Sequence, residues 1–292
     1  MKRLLIIGCG DVALRAASAL HRRYRLYALS RDPEQRPRLR ALGIVPIVGD
    51  LDRPLTLDRL AGLADAVLHF APPAATGNAD LRTARLLAAF SKGESLPQRL
   101  VYISTSGVYG DCGGEWVTET RKLRPGTPRA QRRADAERRL RNWGRRNSVT
   151  VTLLRAPGIY AANRLPVERL RRGMPVLAAD EDPYTNHIHA DDLARIALAA
   201  LRRGLPGRAY NACDDSEMKM GEYFDRVADH FGLPRPPRIS RAAAPAALPA
   251  SLLSFMEESR RLSNRRIKAE LKIRLDYPTV DAGLATAAAH SE

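Results

Sequence analysis

The apolar run Leu4 to Ile7 breaks at Gly8-Cys9-Gly10, and helical spacing begins at once from Ala13 to Leu20. Gly8, Gly10 and Ala13 spell G-x-G-x-x-A, which leaves a chain little conformational choice. A strand, a tight turn and a helix N-terminus must follow one another with no residue to spare. Gly8 permits the turn, Gly10 lets backbone amides approach a pyrophosphate, and Ala13 lets the helix pack closely on the strand. The helix N-terminus adds partial positive charge. The expected unit is a dinucleotide-binding βαβ, with Gly8, Gly10, Asp11 and Val12 at the cofactor.

Strands and helices keep alternating after this unit. Arg25 to Ser30, Ile44 to Val48, Ala66 to Ala71, Leu100 to Ser104 and Val149 to Arg155 read as strands. Helices are expected from about Ala79 to Ser91 and from about Pro128 to Arg146. Strands separated by helical segments imply parallel units with right-handed crossovers. The fold class is therefore α/β: a Rossmann-type doubly wound parallel sheet with a small C-terminal α+β substrate lobe. Residues 1–160 form the dinucleotide-binding domain, its sheet completed by later segments, and residues 161–292 the smaller lobe. In that lobe, helices are expected over Val167 to Arg172, Ala190 to Arg203, Gly221 to Phe231 and Ser263 to Leu271, the last capped by Ser263 or Asn264. Short strands lie near Ile188 and Ala209, and the Ala/Pro-rich stretch Ala242 to Ala250 reads as linker.

Composition narrows the partners only slightly. Lys and Arg number 48 against 32 Asp and Glu, a net charge of +16. The excess is mostly arginine spread along the chain, without a Lys-rich tail, zinc-finger spacing or an aromatic RNA-binding strand. Nucleic acid is therefore not the expected partner; a small anionic molecule is an equal reading of the charge. No apolar run reaches the roughly 18 residues that span a bilayer, and no secretory signal is evident. Three well-separated cysteines, Cys9, Cys112 and Cys213, indicate a reducing, cytoplasmic setting. The oligomeric state stays open, a homodimer included.

The second strand ends Leu29-Ser30-Arg31, about 20 positions after the fingerprint, where an acid would bind a ribose 2′-hydroxyl and an arginine a 2′-phosphate. Arg31, with the Ser30 hydroxyl, favours NADP over NAD, and Asp32 is a competing ribose ligand. Several further segments carry a resemblance: Gly49-Asp50-Leu51, His69-Phe70-Ala71, Ile103 to Gly110, Leu154 to Tyr160 and Asn186 to Ala194. In this order and spacing the chain resembles the extended short-chain dehydrogenases/reductases, the NAD-dependent epimerase/dehydratase family, over nearly its whole length. The resemblance implies that Asp50 and Leu51 contact the adenine, that Ala71 and Pro157 line the cofactor site, and that the substrate is a hydroxyl or carbonyl compound, in many relatives a sugar nucleotide.

The chemical end departs from that family. Its members use a Ser/Thr after the fifth strand and a Tyr-x-x-x-Lys pair one helix later. Thr105 matches the Ser/Thr position. The tyrosine position falls on Arg129 and the lysine position on Arg133. A guanidinium cannot exchange protons near neutrality, although Arg133 can donate hydrogen bonds to a ribose. Tyr109 and Tyr160 are the replacement acids to consider, against the simpler reading of both as packing aromatics. His187 and His189 share a strand face but have no third ligand, so no metal is expected, and His189 reads as a helix cap. In the lobe, Arg171, Arg172, Arg260 and Arg261 are candidates for a diphosphate. The alternative to an enzyme is a protein that binds NAD(P)H without turning it over.

Overall fold

The computed structural model describes residues 1–287. Its centre is a seven-stranded sheet built from β1 (Lys2–Ile7), β2 (Tyr24–Ser30), β3 (Val45–Val48), β4 (Ala66–His69), β5 (Arg99–Thr105), β7 (Thr150–Ala156) and β12 (Arg208–Asn211). The order is β12-β7-β5-β4-β1-β2-β3, and every pairing is parallel. The chain moves outward from β1 to one edge, returns past it to β4, and then builds the other edge. The crevice above β1 and β4 is the switch point where open α/β sheets bind ligands.

Each central strand is apolar on both faces because helices cover both. Leu4 and Ile6 of β1 join the core under α1 (Asp11–His21), α2 (Gln35–Ala41) and α6 (Ala190–Arg203). Leu5 and Ile7 point the other way, to the core under α3 (Leu81–Phe90) and α4 (Pro128–Arg146). The second half of the chain therefore does not stand apart. Its α6 and β12 complete the sheet, and only the remainder forms the lobe over the strand C-termini. That lobe holds α5 (Val167–Arg171), α7 (Met220–His230) and short paired strands: β8 (Gly158–Tyr160) with β11 (His187–His189), β10 (Tyr184–Thr185) with Met218–Lys219, and β9 (Val176–Leu177) with Arg238–Ile239. The remaining pair, β6 (Trp116–Val117) with Arg261–Leu262, ties the lobe to the loop after β5.

Two local expectations change. The Ala/Pro stretch is not linker: it forms short helices Ala244–Ala247 and Ala250–Met256. Alanine favours helix, and Pro245 and Pro249 fall in a first turn and at an N-cap, where a missing amide costs nothing. Asn264 stands at an N-cap position but does not cap. Its amide donates instead to Cys213 O, Asp214 O and Asp215 Oδ1.

One buried ion pair locks α4 onto the sheet. Arg155 of β7 grips Glu137 through two bonds, Nε to Oε1 at 3.0 Å and Nη2 to Oε2 at 2.7 Å. Ser104 Oγ donates to Oε1 at 2.7 Å and Arg141 Nη1 to Oε2 at 3.1 Å. Burial pushes the Glu137 pKa up, but Arg155, Arg141 and the Ser104 hydroxyl outweigh it and hold the carboxyl below its usual range. The unfolded chain therefore binds this proton more readily than the folded one, so the pair's contribution is full above about pH 4.5 and is lost on acidification below it. Glu137→Gln leaves Arg155 buried without its counter-charge and is expected to cost about 3–5 kcal/mol in urea unfolding at pH 7. The gap between variant and wild type should close as the pH falls below 4.

Candidate cofactor and substrate site

Two cavities open above the strand C-termini. The first, of about 440 Å³, is lined by Gly8, Cys9, Gly10, Ser30, Arg31, Asp32, Gln35, Asp50, Leu51 and Ala71. Gly8 has φ +89°, and a methyl there would lie 2.4 Å from the Ala71 amide nitrogen. Ile7 O explains the crowding, because it accepts from both Phe70 N at 2.7 Å and Ala71 N at 2.8 Å. At Gly10 the opposite holds: a methyl would meet nothing within 4 Å. No side chain caps α1, so its first amides face a Cβ-free floor. That arrangement fits a pyrophosphate.

Asp11 and Val12 do not line the cavity. The Asp11 carboxylate turns to Arg15 at 3.0 Å and Arg164 at 3.5 Å, and Val12 is buried in the core under α1. Their backbone, at the helix start, is what they can offer a ligand. Cys9 lines the cavity, but burial pushes its thiol up to about 11, against the opposite pull of Arg38, so the sulfur is not a nucleophile near neutrality.

At the far end, Arg31 is exposed at the rim and has no ion pair with any described carboxylate. Asp32 lines the same rim, but its Oδ1 already accepts from Glu34 N at 2.9 Å. Ser30 is buried and donates to Asp32 O at 3.0 Å. Gln35, which no motif marks, bridges the floor by donating from Nε2 to Cys9 O at 3.0 Å.

The second cavity, of about 570 Å³, holds Thr105, Pro157, Arg129, Arg132, Arg133, Tyr184, Phe255, Glu258 and Arg260. Pro72 and Arg82 line both cavities. Arg82 is fixed there by Pro72 O at 3.1 Å and by Asp52 at 2.5 Å. Pairing with Arg82 holds the Asp52 pKa below its usual range against a smaller effect of burial.

Thr105 Oγ1 accepts from Gly107 N at 3.2 Å, which leaves its proton free to donate. Arg133 is clamped, its Nη1 donating to Ile103 O at 2.7 Å and Tyr102 OH at 2.9 Å. Arg129 lies over the Phe255 ring at 4.1 Å. Its pKa is held below the usual value by burial first; Glu258 pulls it up, while Arg133, Arg260 and Arg132 press it down.

The two tyrosines weighed as acids lie elsewhere. Tyr109 is buried, donates to Asn211 Oδ1 at 2.7 Å and accepts from Arg155 Nη1 at 2.8 Å. Burial raises its pKa to about 12, against the pull of Arg155. Tyr160 packs against Gly283, donates to Thr279 O at 3.1 Å, and is also raised by burial. Neither lines either of the two cavities. The phenol that does is Tyr184, whose ring lies 4.7 Å from the Arg261 guanidinium.

His187 is buried, stacked on Tyr223, and lowered to about 3 by burial. His189 caps α6, its Nδ1 accepting from Asp191 N at 3.3 Å. Among the described residues no cluster of three or more His, Cys, Asp or Glu could hold a metal. Of the four lobe arginines, Arg260 lines the second cavity and the other three line neither. Arg171 pairs with Glu168 and Arg261 with Glu217.

Sheet order, uncapped helix and paired cavities define a dinucleotide-binding α/β protein of Rossmann type. The chain belongs to the NAD dependent epimerase/dehydratase family, whose sequence model matches residues 10–213. Among curated relatives, the dTDP-D-glucose 4,6-dehydratase of Homo sapiens is 23% identical over 135 residues, 44% of this chain and 39% of that protein. The mouse enzyme is 25% identical over 131 residues, covering 42% and 37%. The chain thus matches well under half the length of these relatives.

Solved structures align over nearly the whole chain. A conserved Silicibacter pomeroyi protein of unknown function has TM-score 0.81 and 28% identity, covering 97% of each chain. The UDP-glucose 4-epimerase of Thermotoga maritima, solved with UDP-glucose, has TM-score 0.78 and 18% identity, covering 98% and 97%. The dTDP-glucose 4,6-dehydratase of Bacillus anthracis, solved with NAD, has TM-score 0.78 and 17% identity, covering 98% and 95%. Among the described residues no helix is long and apolar enough to cross a membrane.

The two glycines should separate folding from binding. Gly10→Ala is expected to leave the melting temperature unchanged and to weaken NADPH binding, because its methyl projects only into the cavity. Gly8→Ala, strained in φ and against Ala71, should lose about 1–3 kcal/mol of stability as well. Thermal melts paired with NADPH fluorescence titrations read both effects.

Proposed function

We propose that this protein binds NADP in preference to NAD and acts on a hydroxyl or carbonyl carbon of a small molecule. The observation that carries this reading is the meeting of the two cavities at Pro72 and Arg82, above the C-terminal ends of β1, β4 and β5. Gly8, Gly10 and the start of α1 would hold the pyrophosphate, Asp50 and Leu51 the adenine, and Arg31 a 2′-phosphate. The unpaired guanidinium of Arg31 and the local commitment of Asp32 support NADP. When bound, the nicotinamide supplies the hydride-exchanging carbon.

The protein's own part is positioning. Thr105, already accepting a backbone amide, donates its hydroxyl proton to the substrate oxygen. Arg133, held by Ile103 O and Tyr102, offers its remaining N–H groups to a ribose. Tyr184 is the cavity's phenol and takes the proton-donating role first sought in Tyr109 and Tyr160. The sugar nucleotides named with the solved relatives make that one class of substrate to test. All three cysteines are free and buried, which supports a cytoplasmic setting.

A second reading, a protein that holds NAD(P)H without turning it over, is favoured by Arg129 and Arg133 standing where the family's proton-exchanging pair belongs. Titration with NADPH and NADH, followed by a turnover screen, separates the two. Binding of NADPH ahead of NADH is expected, and Arg31→Ala should shrink that preference about tenfold. Thr105→Ala should lower turnover about a hundredfold with binding intact. Tight binding with no turnover on any carbonyl or sugar-nucleotide substrate would select the second reading, and no binding of either nucleotide would reject both.

A further inference from the structure

Three arginines in the first two turns of α4 oppose what a helix N-terminus favours. The macrodipole there attracts anions and repels cations, yet the first turn of α4 contains no acid. Arg129, Arg132 and Arg133 stand at i, i+3 and i+4, so they share one face and repel one another. Further along the same helix three arginines do have carboxylate partners: Arg138 and Arg139 pair with Asp135, and Arg141 with Glu137. The first three have no carboxylate partner among the described residues.

Their burial is uneven: Arg129 is exposed, Arg133 half-buried and Arg132 buried. Arg132 is only 7% exposed, and its Nε has no hydrogen-bond partner. Arg260 enters the same cavity from the opposite wall, also with an unpartnered Nε. The one carboxylate lining the cavity, Glu258, is bound to Arg260 at 2.8 Å. A buried guanidinium such as that of Arg132, with no carboxylate partner, is costly unless an anion completes its site.

We infer that the substrate is a small oxo or hydroxy acid whose carboxylate is received by Arg129, Arg132 and Arg260 directly beside the reacting carbon. This rests on the reading of the second cavity as the substrate chamber. The position is the informative part. Arg129, Arg132 and Arg260 line the same cavity as Thr105. An anion bound here therefore lies next to the carbonyl that Thr105 orients, and not at the far end of a long molecule. Reduction would add a hydride from the reduced dinucleotide to the carbonyl carbon and a proton from the Tyr184 hydroxyl to the oxygen. Water would return that proton to Tyr184, the dinucleotide would leave oxidised, and the carboxylate would be unchanged.

The test uses full-length protein loaded with NADPH and malonate as a non-reducible probe, read by calorimetry beside UDP-glucose and inorganic phosphate. Malonate is expected to bind the loaded protein more tightly than UDP-glucose, and Arg129→Gln should weaken it about tenfold. Arg129→Lys should restore only part of that loss, since an ammonium lacks the planar fork. Arg146→Gln, on the exposed last turn of the same helix, should change nothing.

Four outcomes would overturn the inference: tighter binding of UDP-glucose than of malonate, competition between malonate and NADPH, equal loss in the Arg146 and Arg129 variants, or no malonate binding at all. Failure to bind NADPH in the preceding titration would instead reject the functional reading beneath it.

Discussion

Everything in the site hangs on the way β1 ends against β4. Ile7 spends its carbonyl on two amides of the neighbouring crossover, Phe70 and Ala71. This pulls that backbone so close to residue 8 that only glycine, at positive φ, can occupy the position. The turn then has one exit, and it sends α1 back over the sheet with its free amides facing the crevice. Cavity, helix dipole and switch point coincide because one carbonyl accepts two bonds.

Helix α4 divides electrostatically along its length. Its middle and C-terminal part is a structural clamp, where Asp135 and Glu137 neutralise nearby arginines and tie the helix to α3 and β7. The N-terminal turns carry cations without carboxylate partners among the described residues, at the end of the helix where they are least stable. The same residue type thus does two jobs within one helix. The arginines of α4 divide between ion pairs with Asp135 and Glu137 and the wall of the second cavity. A net charge of +16 is, on this view, the sum of many local arrangements, not one basic surface.

Much of this was legible in the linear chain. The fingerprint at Gly8-Cys9-Gly10, the alternation of strands and helices, and the parallel sheet are short-range or periodic patterns that the fold carries through with little change. Ser30, Arg31, Asp50, Leu51 and Ala71 lie around the first cavity because each sits at or just past a strand's C-terminal end, a position that parallel topology places on one side. Thr105 and Pro157 follow β5 and β7 for the same reason. Gln35, Arg82, Arg132 and Tyr184 escaped notice because nothing local marks them. Each acquires meaning from a partner 10 to 77 residues away in the chain: Cys9, Pro72, Gly77 and Arg261.

The sequence alone determined the layering of the fold and the glycine turn between β1 and α1, since these depend on residue type and spacing along one strand or helix. Only the tertiary structure decided which side chains line the second cavity. It withdrew Tyr109 and Tyr160 into hydrogen bonds away from the cavities, brought Tyr184 and Arg260 from the lobe, and left three arginines of α4 without an ion pair among the described residues. Those outcomes depend on how distant segments pack and which charges find partners. Burial and pairing are properties of the assembled chain, and no local pattern of residues specifies them.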